Sequence, residues 1–215
     1  MGKVLIFKDA DFSQNAIDGD KDYVLADSIT FDGSHYIDLG RGLTQQSKVE
    51  ICLTPTVLAT EGQNISVYGV RTGANLNQVD LRIIYGNKKN WFAINVVNNT
   101  DTPGSAVQVK VAKNTQYTIS SDIKNNNITV DDTVYANARN VSGLNTGNNN
   151  LYIGAYNANG EILSNFSFYI GKVHWIKIYD NGVLSNFYKA ATIKATNVRC
   201  LVDRLHDENK YYLVS

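Results

Sequence analysis

A chain of 215 residues and 23.8 kDa is long enough to bury about 70% of its unfolded surface, so its fold needs no disulfide or metal staple. Twenty Lys and Arg balance twenty Asp and Glu, the pI is near 6.8, and no basic run stands out. That balance argues against a chain whose affinity comes mainly from neutralising the phosphates of nucleic acid or of a lipid surface. Only four Glu, one Met and two Pro accompany 26 Asn and 13 Tyr. Helices favour Ala, Leu, Glu and Lys, whereas this chain sets Val, Ile, Thr and Tyr between Asn, Gly and Asp, which predicts an all-β protein.

Met1–Lys8 holds four apolar residues, Val4 to Phe7, between two lysines. An export signal needs a core of roughly 7–15 apolar residues and a membrane span about 20, so this opening reads as a strand. Localisation stays open on sequence, with a virion or the cytoplasm before assembly both compatible.

The predicted strands follow in quick succession. Ile29–Leu39 reads as two short strands around an Asp32–Gly33 hairpin turn. Ser47–Thr54 alternates Val49, Ile51 and Leu53 against Lys48, Glu50 and Cys52, and Pro55 ends it because proline cannot donate to a ladder. Further strands are predicted at 64–71, 79–85, 90–97, 105–112, 115–123 and 127–135. His174–Tyr179 meets Asn181–Gly182, the strongest short hairpin signal, and returns as Val183–Leu184. The stretches 137–150 and 157–165 read as longer loops. No helical apolar period and no linker appears, so one antiparallel sandwich over residues 1–215 is expected, with 1–27 as lead-in.

Cys52 and Cys200 lie in strand-like stretches and are expected to be buried thiols, a single disulfide being the alternative. The three histidines (His35, His174, His206) show no zinc-type spacing with them. Asp18, Asp20 and Asp22 alternate as in the first half of an EF-hand loop, but Tyr23 stands where that loop needs Gly and Ile29 where it needs Glu. They remain candidates only for a structural Ca²⁺ at a sandwich edge; no other cofactor is expected.

Several stretches resemble a known family. Phe168–Gly182 is similar to the penultimate strand and turn of concanavalin A-like (laminin-G-like) jelly rolls of bacterial and phage type, and Leu151–Gly160 to the strand before it. Val198–Arg204 and Lys210–Tyr212 resemble the closing strands, and Tyr36–Gly40, Tyr68–Arg71 and the 115–135 meander fall in the family's order. The resemblance covers roughly 28–215 and implies a two-sheet antiparallel jelly-roll sandwich. The chain departs from the pattern at Asn186–Tyr188, which lacks a proline, at Cys200, which replaces a glycine, and in a longer Leu205–Asn209. Lys3–Ile17 is similar to openings of phage-encoded structural proteins.

The glucanase branch of that family carries Glu-x-Asp-x-Glu on one strand, because hydrolysis needs two carboxylates on one face. None of Glu50, Glu61, Glu161 and Glu208 has an acidic residue two or four positions away, so no hydrolase activity is expected. Nucleophile-elbow, phosphate-loop and dinucleotide motifs are also missing from the sequence. A sugar site pairs an aromatic platform with amide and carboxylate side chains. The candidates are Trp91 at a loop-to-strand junction, Tyr85 before a Gly86–Asn87 turn, Tyr156 with Asn157 and Asn159 in the loop after it, and His174. Trp175 points to the face opposite His174 in a regular strand and is expected in the core. The reading is a non-catalytic module that binds a glycan or cell-surface polysaccharide, in a phage structural or adhesion setting. The alternatives are an assembly protein with virion or self-association partners and no sugar, and a glucanase-like hydrolase. Neither nucleic acid nor membrane is an expected partner.

Overall fold

The computed structural model describes residues 21–73, 77–97, 107–136, 142–206 and 209–215. The strands, in chain order, are β1 (Tyr23–Leu25), β2 (Ile29–Asp32), β3 (Ile37–Asp38), β4 (Ser47–Pro55), β5 (Asn64–Arg71), β6 (Gln78–Gly86), β7 (Lys89–Val97), β8 (Val107–Lys110), β9 (Tyr117–Asp122) and β10 (Asn127–Val130). There follow β11 (Thr133–Ala136), β12 (Tyr152–Ile153), β13 (Asn157–Ala158), β14 (Glu161–Ile162), β15 (Ser167–Phe168), β16 (Ile170–Asp180), β17 (Val183–Ile193), β18 (Arg199–Asp203) and β19 (Lys210–Tyr212). They form a sandwich of two sheets, the expected all-β jelly roll. No described residue is helical.

The first sheet runs β11-β10-β9-β4-β16-β17-β18-β19, with β2 beside β16 and β1 beside β17. The second runs β14-β13-β5-β6-β7-β8, and β3, β12 and β15 join it beyond β5. All pairs are antiparallel except β13 and β15, which run parallel to β5. Period-two patterning sets the inner faces. Across the first sheet Ile119, Ile51, Ile176 and Tyr188 stand in one row by register, all fully buried. They meet Val79, Leu81 and Ile83 of β6 and Phe92 and Ile94 of β7 in a single apolar core. Fully burying each such side chain contributes about 1.5–3 kcal/mol. A second, small cluster of Tyr23, Ala191, Ile193, Cys200 and Val202 gathers β1, β17 and β18.

The asparagines close the turns. Among the described residues ten non-glycine positions have positive φ, and seven of them are Asn. Asn87–Lys88, Asp131–Asp132, Asn159–Gly160 and Asn181–Gly182 each place both turn residues there, the geometry that matches the twist of paired strands. Asp131–Asp132 therefore splits the stretch predicted as one strand over 127–135 into the β10–β11 hairpin.

Asp32–Gly33 does not make the predicted hairpin. β2 pairs with β16 in the first sheet, whereas β3 pairs with β12 in the second. The turn carries the chain between sheets, with Ser34 N–H donating to Asp32 Oδ1 at 2.9 Å. A hairpin of this type needs positive φ at both turn residues, whereas here only Gly33 has it (89°), which is enough for a corner.

Candidate ligand-binding site

The residues singled out from the sequence scatter over the molecule. Trp91 and Tyr85 share the β6–β7 hairpin, but Trp91 pairs with Ile84 and Tyr85 with Asn90, so alternation sends their rings to opposite faces of the second sheet. The Trp91 ring is half-buried, with Nε1 donating to the Gly86 carbonyl at 3.0 Å, and Tyr85 is 36% exposed at the sheet end.

Tyr156 and Asn157 are corrected as ligand contacts, because both are only 1% exposed. The Tyr156 ring lies on the backbone of β5 at Gly69, stacks on Phe166 with centroids 4.9 Å apart, and carries the Arg71 guanidinium 5.7 Å from its centroid. Asn157 is a local staple: its amide donates to Asn150 O at 2.7 Å and its carbonyl accepts from Gly160 N–H at 2.7 Å. Asn159 is exposed at the β13–β14 turn and accepts from Asn149 Nδ2 at 3.3 Å.

Beside the Tyr156 ring, on the outward side of the second sheet, lies a buried carboxylate. Asp80 has no exposed surface. It accepts from Arg82 Nε at 2.5 Å, Arg82 Nη2 at 3.1 Å, Gln78 Nε2 at 2.6 Å and the Asn95 amide. Burial pushes this carboxyl up, and the Arg82 charge and the hydrogen bonds oppose that push without reversing it. Arg82 also stands 5.1 Å from the Phe166 ring centroid. The cluster is saturated by its own partners and holds the 156–168 segment on the sheet.

His174 and Trp175 do not take opposite faces. A bulge interrupts the β16–β4 register between Val173 and Trp175, and such an insertion shifts the faces by one residue. Trp175 pairs with Cys52, and His174 Nε2 meets Thr54 Oγ1 at 3.0 Å. Cys52 and Thr54 both alternate with the inward Ile51 and Leu53, so His174 and Trp175 share the outward side of the first sheet. His174 Nδ1 lies 2.9 Å from Asp27 O, which fixes the ring as a strand tie. The expectation that Trp175 is a core residue is thereby overturned: it is half-buried on the outer face.

That outer face holds the cleft. From the bulge onward Trp175, Lys177 and Tyr179 point outward while Ile176 and Ile178 are buried. At the end of these strands a cavity of about 490 Å³ is walled by Tyr179, Lys48, Gln46, Asn125, Lys124 and the Asn181–Gly182 hairpin tip. The Lys48 ammonium stands 4.5 Å from the Tyr179 ring centroid and pairs with Glu50 at 2.7 Å. Tyr179 Oη donates to Glu50 Oε2 at 3.0 Å. Asp122 accepts from Asn125 N at 3.1 Å and Nδ2 at 2.6 Å, which shapes one rim. The opposite rim is braced by Arg41, whose Nη2 donates to Asp180 Oδ2 at 2.8 Å, and by Ser47 Oγ, which donates to Oδ1 at 2.7 Å.

Sequence reasoning missed this cleft, although the alternation of Trp175, Lys177 and Tyr179 was a usable signal for one outward face. Asp22 instead pairs with Lys210 Nζ at 2.7 Å, and Asp18 and Asp20 lie outside the described residues. Among the described residues no three His, Cys, Asp or Glu side chains gather as for a metal ion, and no helix is long and apolar enough to cross a membrane.

No protein-family model matches the sequence, and no curated protein matches it either. Solved structures do share its fold. Domains LG4-5 of the mouse laminin alpha1 chain superpose with a TM-score of 0.54 at 19% identity, over 75% of this chain and 44% of that one. Domain 4 of AbnA, an extracellular arabinanase from Geobacillus stearothermophilus solved with arabinotriose, gives 0.52 at 16% identity, over 74% and 75%. The CBM40 of the Ruminococcus gnavus IT-sialidase gives 0.50 at 16% identity, over 75% and 94%.

Proposed function

We propose that this chain is a non-catalytic carbohydrate-binding module whose ligand enters the cleft on the outer face of the first sheet. The observation that carries this reading is one cavity of about 490 Å³ lined together by Tyr179, Gln46, Asn125 and Asn181. A sugar offers hydroxyls on its edges and C–H groups on its faces. Amides can donate and accept at once, and a half-buried phenol supplies an apolar wall with a polar tip. The volume lies within the range of small-ligand pockets.

Two sandwiches of the same fold support the class of ligand: the arabinanase domain was solved with arabinotriose, and the sialidase CBM40 with α2,3-sialyllactose. The sequence carries no Glu-x-Asp-x-Glu pattern, which favours binding over hydrolysis. The resemblance of Lys3–Ile17 to openings of phage structural proteins favours an adhesion role in a larger particle.

A glycan array that includes bacterial capsular and cell-wall polysaccharides tests the reading. Reproducible hits that weaken about tenfold or more in Tyr179→Ala, with the fold intact, support both function and cleft. Hits indifferent to Tyr179→Ala keep the function and remove this site. A blank array from folded protein favours the assembly role instead, and release of reducing sugar from any hit favours the hydrolase.

A further inference from the structure

We propose that the outward face of β4, β16 and β17 binds an acidic polysaccharide, which runs along β16 from the cleft with its anionic groups on the lysines. This rests on the glycan-binding reading and adds the class of glycan. Across these three strands Lys48, Lys172, Lys177 and Lys189 face outward against Glu50, and on the adjoining β9 Asp122 stands opposite Lys48, bonded to Asn125. In a chain of zero formal charge that is a segregated positive surface, of the kind that concentrates an anionic ligand. Glu50 is already taken by Lys48 and Tyr179, and Lys172, Lys177 and Lys189 form no ion pair among the described residues. Lys124 adds an exposed ammonium at the cleft.

The positive charges are interleaved with rings. Lys177 Nζ stands 5.2 Å from the Trp175 ring centroid and 5.3 Å from that of Phe187. Trp175 and Tyr179 lie four residues apart on β16, a run of about 13 Å at the rise of a strand, which suits several linked sugars better than a single one. Such a surface meets carboxylates or sulfates with ammonium groups and C–H faces with the apolar bed beneath. Single-stranded nucleic acid is the competing polyanion, and the titration below separates the two.

Calorimetric titration of the full chain with polygalacturonate, polysialic acid and heparin oligosaccharides, beside a neutral galactan of equal length, tests the proposal. At least one acidic polymer is expected to bind about tenfold or more tighter than galactan and to weaken by a similar factor between about 50 and 300 mM NaCl. Lys177→Gln with Lys189→Gln is expected to lose most of that preference while far-ultraviolet dichroism and the cooperativity of unfolding stay unchanged. Lys124→Gln, remote from the β16–β17 pair, gives an independent check at the cleft.

Equal binding of galactan, insensitivity to salt, indifference to both sets of substitutions, or equally tight binding of short single-stranded DNA overturns the proposal. Neutral glycans bound and all three acidic ones refused overturns it alone and leaves the module reading standing. Refusal of acidic and neutral glycans alike overturns both.

Discussion

Gly69 on β5 leaves the space that the Tyr156 ring occupies: a Cβ at position 69 would overlap Tyr156 Cδ2 and stand 2.9 Å from Cε2. The ring cannot retreat freely, because Phe166 stacks on it and Arg71 stands beside it. Gly69→Ala is therefore expected to destabilise the protein by about 1–3 kcal/mol, the usual range for overpacking, measured by urea unfolding. Tyr156→Leu in the same background should recover part of the loss. An unchanged midpoint for Gly69→Ala would show that the ring moves aside at little cost.

Arg82 compensates a carboxylate with no exposed surface, and its own side chain is 18% exposed. Removing one partner of a buried pair leaves an unpaired charge. Arg82→Ala is expected to cost about 3 kcal/mol at neutral pH. Asp80 has its folded pKa raised, first by burial, so its folded state holds the proton more tightly than the unfolded chain. The penalty therefore grows as pH rises from the unfolded value of a carboxylate toward the raised folded one, and shrinks on acidification. Unfolding of Arg82→Ala followed from pH 7 to pH 4 should show the deficit narrowing, and Asp80→Asn/Arg82→Ala should lack that pH dependence.

Asp180 behaves in the opposite sense. Burial raises its pKa, but hydrogen bonds from Arg41, Ser185 and Ser47, with the Arg41 charge, outweigh this and leave it lowered. A lowered folded pKa contributes stability that is present above the unfolded value and is lost as pH falls through the folded one. Because the pair is partly exposed, its contribution is about 1 kcal/mol. Asp180→Asn is expected to lose that amount at pH 7 and to converge with wild type below the ordinary carboxylate range. The same change loosens the hairpin carrying Asn181 and Gly182 into the cleft, so glycan binding should weaken more than stability does. Equal stability at pH 7 would remove the pair as a brace.

The sandwich was legible because alternation is a local property: Val49, Ile51 and Leu53 read as one face without knowledge of their partners. The Asn181–Gly182 hairpin was legible for the same reason. His174 and Trp175 were misread because one inserted residue in β16 inverts the facing of what precedes it, and the bulge is defined only by pairing with β4. Tyr156 was misread because the space it fills is an absent side chain on β5, distant in sequence. Of the cleft only the outward alternation of Trp175, Lys177 and Tyr179 was legible. Lys48, Asn125 and Tyr179 belong to different elements, and only the β9–β4–β16 order brings them together.

The thiols should be inert in the folded protein. Cys52 pairs across to Trp175 on β16 and Cys200 to Ala191 on β17, so three strand spacings, about 14 Å, separate them, far beyond the reach of a disulfide. Both are free and buried. Burial pushes the Cys200 thiol up to about 11 and raises Cys52 as well, and it is the thiolate that reacts. Ellman's reagent at pH 8 is expected to label neither in the folded state and both at once in urea. Rapid labelling of Cys200 alone would show local opening of the β1–β17–β18 cluster, because Tyr23, Ala191 and Val202 pack with Cys200 there and opening without global unfolding is confined to weakly held units.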